Sequence, residues 1–278
     1  MTAFIERLDA ACVANQSLVC VGLDPDPALM PIGDVFSFNK AIVDATHDLV
    51  CAYKPNFSFY EALGLTGLHA LEQTVRHIRK VAPGVVLLAD AKRGDVGNSA
   101  TAYARALFTE WGFDAATVSP YLGGDTVAPF LDYSDKGVFV LCRTSNPGAG
   151  EFQDALVSGG DGDQRPLYQL VAMRAMEWNR HGNLGLVVGA TYPRELEEVR
   201  SICPDIPFLI PGVGSQEGDL AQAVRQGTDA GGRRALVSSS RGIIYASTGH
   251  DFAEAARRAT HQLRDSINTI LSSEGCGW

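Results

Sequence analysis

The sequence lacks most signatures by which a chain declares a cofactor or a covalent mechanism. No Gly-x-Ser-x-Gly elbow occurs, which removes the usual strand–turn–helix serine nucleophile. No Gly-x-Gly-x-x-Gly follows the first candidate strand, which argues against a dinucleotide-binding fold. The 6 cysteines form no Cys-x-x-Cys pair, and the 6 histidines are not spaced like metal ligands. Cys20, Cys51 and Cys142 fall in apolar runs and read as reduced core thiols. A basic excess is also missing. With 23 Lys and Arg against 32 Asp and Glu the net charge is −9, which argues against non-specific nucleic-acid binding but leaves room for a local anion pocket. No apolar run reaches the roughly 18 residues of a membrane span. Met1 to Ala14 carries Glu6, Arg7 and Asp9 and lacks the order of a signal peptide. The expectation is a cytoplasmic protein with no membrane partner.

What is present is a regular alternation. Short apolar runs at Leu18–Leu23, Cys51–Lys54, Val85–Ala89, Ala115–Val118, Gly137–Cys142, Leu184–Val188, Phe208–Ile210 and Ala235–Val237 read as buried strands. Between and after them lie stretches of helical period: Val35–Leu49, Phe59–Val81, Ser99–Trp111, Thr126–Tyr133, Leu167–His181, Pro193–Ile202, Gln216–Gln226 and Phe252–Leu271. Eight such pairs predict an α/β fold, a (β/α)8 TIM barrel forming a single domain over 1–278; a doubly wound open sheet is the runner-up. A further helical pattern, Thr2 to Ala14, precedes the first strand and is expected to close the barrel bottom or pack on its flank. The longest irregular stretch, Gly148 to Pro166, follows strand five and reads equally as a lid or a tolerated insertion.

In such a barrel the site lies at the C-terminal strand ends. Strand three is the most informative, because Val85–Ala89 stops abruptly at Asp90-Ala91-Lys92-Arg93-Gly94-Asp95. Side chains alternate along a strand, so Asp90 and Lys92 point the same way, about 6–7 Å apart. The bland alternative is a surface ion pair with Asp95 capping the next helix. Unpaired charge after a buried strand is costly, which weighs against it. Lys54 ends strand two, the neighbour in a barrel. Two lysines and two carboxylates then converge, and a lysine flanked by carboxylates keeps its proton. Such an ammonium suits protonation of a developing carbanion better than Schiff-base chemistry. The pattern points to decarboxylation followed by protonation. At the other side Gly212-Val213-Gly214 after strand seven, Gln216, and Ser240-Arg241-Gly242 after strand eight suit a phosphate, held by backbone N–H groups and side-chain donors.

With these residues in view the chain resembles the orotidine 5′-phosphate decarboxylases, in the longer bacterial subgroup whose strand-three motif reads DAKRGD. The resemblance runs over nearly the whole chain. It includes Val21-Gly22-Leu23-Asp24-Pro25, Tyr53-Lys54-Pro55-Asn56, Leu88 to Gly97, Ser119 to Gly123, Thr144 to Gly148 and Pro211 to Gly214. It implies conversion of orotidine 5′-phosphate to UMP and CO2, with no metal or organic cofactor, in a homodimer with shared active sites. It implies Lys92 as the proton donor to C6, Asp90 against the substrate carboxylate, and Asp95 supplied to the partner's site, completing an array with Lys54. Asp24 and Lys54 would bind ribose hydroxyls, Ser99 would touch the ribose of the partner's substrate, and Ser145 would bind the base. Gln216 and Arg241 would hold the phosphate, with Pro147, Gly212, Gly214 and Ser240 completing the substrate site. Ser119 stands where the subgroup has asparagine, Asn56 where glutamine is common, and Ser99 where threonine is expected. The rival readings are a Mg²⁺-dependent sugar-phosphate decarboxylase or synthase, a class I aldolase, and a phosphate-binding barrel without activity.

Overall fold

The computed structural model describes residues 3–158, 162–213 and 219–278. The helix α1 (Phe4–Asn15) precedes β1 (Val19–Leu23), α2 (Val35–Thr46) and β2 (Ala52–Pro55). Next come α3 (Phe57–Glu61), α4 (Gly64–Val81), β3 (Val86–Arg93), α5 (Gly97–Arg105), which runs into a π-helical turn at Ala106–Glu110, β4 (Ala115–Val118), α6 (Gly124–Leu131) and β5 (Gly137–Arg143). A short insertion follows: a 3-10 turn at Pro147–Ala149, α7 (Gly150–Gln153), and the hairpin strands β6 (Leu156–Ser158) and β7 (Gln164–Pro166). The chain then continues through α8 (Leu167–Trp178), β8 (Leu184–Val188), α9 (Pro193–Ile202), β9 (Phe208–Pro211), α10 (Leu220–Gly227), β10 (Ala235–Ser239), α11 (Arg241–Ile244) and α12 (Phe252–Ser273).

Eight parallel strands close in the order β1-β10-β9-β8-β5-β4-β3-β2, with the helices outside. This is the expected (β/α)8 barrel, and the closed order excludes the open sheet. The strands are buried nearly throughout, which explains why they read as continuous apolar runs rather than alternating ones. Of the two placements open for α1, it lies across the barrel bottom. Phe4 packs edge-on against Phe139, 6.1 Å between centroids, and against Gly137 at the start of β5, where a Cβ would come within 2.4 Å of the Phe4 ring. Arg7 pairs with Asp114, just before β4, and Arg79 reaches the same carboxylate at 2.7 Å. Thr2, assigned to this helix from the sequence, lies outside the described residues.

Four expectations need correcting. The single helix expected over Phe59–Val81 is two, because Gly64 adopts φ +61° and breaks the run between α3 and α4. The helix expected over Ser99–Trp111 begins at Gly97 and relaxes into the π-helical turn before Trp111. Strand three does not stop at Ala89; β3 continues to Arg93, carrying the charged segment on the barrel rim. Gly148–Pro166 is not irregular: it contributes α7 and an antiparallel hairpin.

Candidate active site

The rim of β3 is where the fold turns into a site. Its register against β4 steps from Ala89↔Ala116 to Arg93↔Val118, so Asp90, Ala91 and Lys92 form a bulge. Within it Lys92 takes φ +46°, a left-handed conformation that costs a non-glycine residue about 1 kcal/mol or more. The bulge is pinned by the Lys92 N–H, which donates to Thr117 Oγ1 at 2.9 Å. It sends Asp90 and Lys92 into the barrel mouth and turns Arg93 outward. Arg93 pairs with Glu61 and lies over the rings of Phe57 and Tyr103.

Asp90 is the hub. It is 8% exposed and accepts from Lys54 Nζ at 2.8 Å, Lys92 Nζ at 2.5 Å and Thr117 Oγ1 at 3.0 Å. Burial pushes its carboxyl up, but the Lys54 and Lys92 ammoniums outweigh that and hold it well below the usual carboxylate range. Lys54 is 6% exposed. Burial favours its neutral form, yet Asp90 and then Asp24 reverse the balance and hold it above the ordinary lysine range. Below it, burial pushes the Cys20 thiol up to about 12, so that side chain stays neutral. The result is a lysine–carboxylate–lysine row in which Asp90 and Asp24 hold the proton on Lys54. That weighs against a Schiff-base role for Lys54, which needs the free amine.

A cavity of about 510 Å³ opens over this row. Among the expected residues, Asp24, Lys54, Asp90, Lys92, Ser145, Gly212, Ser240 and Arg241 line it. Asp24 follows β1, and its Oδ1 is buried without a hydrogen-bond partner, an acceptor left for a ligand. Gly212 follows β9 at φ +95°, a conformation that favours glycine, and Ser240 donates to the Gly22 carbonyl at 3.2 Å beside α11. Gly214 and Gln216 lie outside the described residues. Three expected residues do not line this chain's own cavity. Pro147 is exposed and opens the 3-10 turn. Asp95 and Ser99 sit on the β3–α5 connection and the outward face of α5. Asp95 does not cap α5; its Oδ1 accepts from the adjacent Val96 N–H at 2.8 Å, and Val96 is the cap position. A separate hollow of about 430 Å³ between α4 and the π turn, lined by Leu68, His69, Glu72, Arg76 and Trp111, holds none of the strand-end charges.

Sequence reasoning missed Thr117, Thr144, Asn146 and Gln153, all of which line the cavity. Thr117 had a signal: it sits mid-strand in β4 with an otherwise apolar pattern, a buried hydroxyl that needs a partner. Gln153 had none, because it comes from α7 inside the stretch read as irregular. Asn56 lines the cavity and also caps α3, its Oδ1 accepting from Ser58 N–H at 3.2 Å. Ser119 packs under Gly94, where a Cβ would meet its own at 3.1 Å. Among the described residues, no three His, Cys, Asp or Glu side chains are grouped to hold a metal ion.

The comparisons with known proteins agree with this geometry. The model of the orotidine 5′-phosphate decarboxylase / HUMPS family matches residues 17–259. The orotidine 5′-phosphate decarboxylase of Dehalococcoides mccartyi is 51% identical over 266 residues, 95% of this chain and 97% of that protein. That of Roseiflexus castenholzii is 52% identical over 275 residues, 96% and 98% of the two chains. The solved structure of Leishmania donovani OMP decarboxylase superposes with a TM-score of 0.84 at 39% identity, covering 97% of this chain and 98% of that one. The chain belongs to the orotidine 5′-phosphate decarboxylase family.

Proposed function

We propose that this protein is an orotidine 5′-phosphate decarboxylase, releasing CO2 and forming UMP in de novo pyrimidine synthesis. The observation that carries the reading is the Lys54–Asp90–Lys92 row at the floor of the cavity, two lysines on one buried carboxylate. Asp90 stands where the substrate carboxylate enters and disfavours it there. As the bond from C6 to the carboxylate breaks, its electron pair stays on C6. The Lys92 ammonium stabilises that charge and delivers its proton to C6, and water later restores it. Lys54 and the unpartnered Asp24 Oδ1 take the ribose hydroxyls, Ser145 the base, and Arg241 with Ser240, Gly212, Gly214 and Gln216 the phosphate end. Each step runs on this chain's own charges, so the proposal includes no metal or organic cofactor. The expected result is that the purified protein consumes orotidine 5′-phosphate, followed by ultraviolet absorbance, at the same rate with and without EDTA. Loss of turnover in EDTA would favour the Mg²⁺-dependent sugar-phosphate reading, and binding of UMP without turnover the inactive barrel.

The reading includes a homodimer, a single catalytic domain over 1–278 and a cytoplasmic setting. Five of the six cysteines are buried and free, which suits a reducing compartment. Asp95 and Ser99 face away from this chain's cavity, on the side of β2, β3 and β4. The loops and helices that follow these strands leave Leu65, Val96, Tyr103, Tyr121 and Leu122 exposed, at 85%, 58%, 37%, 80% and 47%. Exposed apolar side chains of this kind suit an association surface, and a second copy docked there brings Asp95 and Ser99 to its neighbour's site. Mixing inactive Lys92→Ala with inactive Asp95→Ala subunits is then expected to recover about a quarter of wild-type activity. Random pairing makes half of the dimers hybrid, and each hybrid holds one intact site. No recovery, with subunit exchange demonstrated by mass spectrometry, overturns the placement of Asp95 across the interface.

A further inference from the structure

The charges of the cavity come from β1, β2, β3 and α11. The β5 side is different: beside the apolar Leu141, its polar groups are neutral amides and hydroxyls, on Thr144, Ser145, Asn146 and Gln153. Behind that wall lies Arg143, the last residue of β5 and only 2% exposed. The register of β5 against β8 slips between Leu141 and Arg143. Leu141 lines the cavity, and the slip carries the arginine out of the mouth and under the insertion. There its guanidinium sits 3.8 Å from the centre of the Tyr192 ring and reaches Asp154 at 3.1 Å, Gln153 Oε1 at 3.4 Å and the Thr144 carbonyl at 3.2 Å.

This fixes which way the Gln153 amide points. Its oxygen accepts from the Thr144 N–H at 2.8 Å and from Arg143, so it cannot be exchanged with the nitrogen. The nitrogen donates one hydrogen to Thr144 Oγ1 at 2.9 Å. Its second N–H has no acceptor among the described residues, on a side chain that lines the cavity. A donor held this way beside substrate suits an acceptor oxygen in the plane of the amide. We infer that Gln153 is a specificity residue that donates to the 4-carbonyl oxygen of the pyrimidine ring, and that Arg143 is the positioning residue that aims it. The inference rests on the decarboxylase reading, in which the phosphate and ribose occupy the charged walls and leave the ring's carbonyl edge to the neutral one. It also gives the insertion after β5 a task, since α7 exists to bring this amide to the wall.

The pair UMP and CMP isolates the contact, because CMP carries an amino donor where UMP carries the 4-carbonyl. Calorimetric dissociation constants for the full-length protein are the measurement. The wild type is expected to favour UMP. Gln153→Ala is expected to narrow the CMP-to-UMP ratio of constants about tenfold, the value of one buried hydrogen bond. Gln153→Glu, which keeps Arg143 paired and turns the donor into an acceptor, is expected to move the ratio further toward CMP. Arg143→Met is expected to narrow it severalfold and Arg143→Lys to restore part of the loss. A merely structural role weakens both nucleotides together and leaves the ratio where it was. An unchanged ratio in Gln153→Ala with an unchanged unfolding temperature overturns the inference. If Arg143→Met does not fold, the two Gln153 variants, which remove no buried charge, still decide it. Failure of the wild type to bind either nucleotide would instead overturn the decarboxylase reading, and this one with it.

Discussion

Replacing Lys92 with alanine is expected to lower kcat by about four orders of magnitude or more and to leave the fold intact. A positioned general acid contributes about 10² to 10⁴, and removing a charge aimed at a developing carbanion costs a further factor of about 10² to 10³. Stability is spared for a geometric reason. The Lys92 side chain is 49% exposed, and Asp90 keeps Lys54 at 2.8 Å and Thr117 at 3.0 Å when it is gone. The buried carboxylate is therefore not orphaned. The backbone supplies a control. Alanine at φ +46° retains the left-handed strain of lysine, whereas glycine does not. Lys92→Gly is expected to be as inactive as Lys92→Ala yet about 1 kcal/mol more stable. Single-turnover decarboxylation and urea unfolding measure the two effects. An alanine variant within tenfold of wild type would sink the role of Lys92 as the proton donor.

The barrel was legible because its strands are buried on both faces and read as plain apolar runs, and because turns punctuate each one. Pro193–Ile202 was bounded to the residue by the proline at its start. What escaped was local backbone chemistry. Gly64 looks like any glycine in a helical pattern until its φ is known, so α3 and α4 merged. The bulge in β3 is equally silent in sequence. Asp90 and Lys92 were expected to share a face by simple alternation, and they do meet at one cavity. The cause is an irregular rim with a left-handed lysine, not a regular pleat. The charged half of the site could be read from strand ends because buried charge is rare enough to signal itself. Of its neutral half only Ser145 was named, and that by the resemblance. Thr144, Asn146 and Gln153 are polar residues in a polar stretch, and only the packing of Arg143 beneath them sets them apart.

Asp90→Asn is expected to be both inactive and unstable, and the pH dependence identifies the cause. The substitution keeps the shape and removes the charge. Lys54, 6% exposed, then loses its nearest counterion and retains, among the described residues, only Asp24 as a nearby carboxylate. Removing one partner of a buried pair costs about 3–5 kcal/mol, which in a chain of this size lowers the unfolding temperature by roughly ten degrees. The Asp90 carboxyl is held below its ordinary range in the folded chain, so its contribution is complete above the unfolded value of about 4 and is lost as pH falls toward the folded one. Lys54 is held above its ordinary range, so its contribution is complete below about pH 10 and is lost as pH rises through the folded value. The wild type therefore gives up this stabilisation in acid, and the asparagine variant has no such carboxylate to protonate. The stability gap between the two, measured by urea unfolding, is expected to be widest near neutral pH and to shrink at pH 3. Activity falls with it, because Lys92 loses the carboxylate that holds its ammonium 2.5 Å away and the substrate carboxylate loses the charge that disfavours it. A gap of the same size at pH 7 and pH 3, or no gap at all, would mean that the Lys54–Asp90–Lys92 row is held by packing and not by its charges.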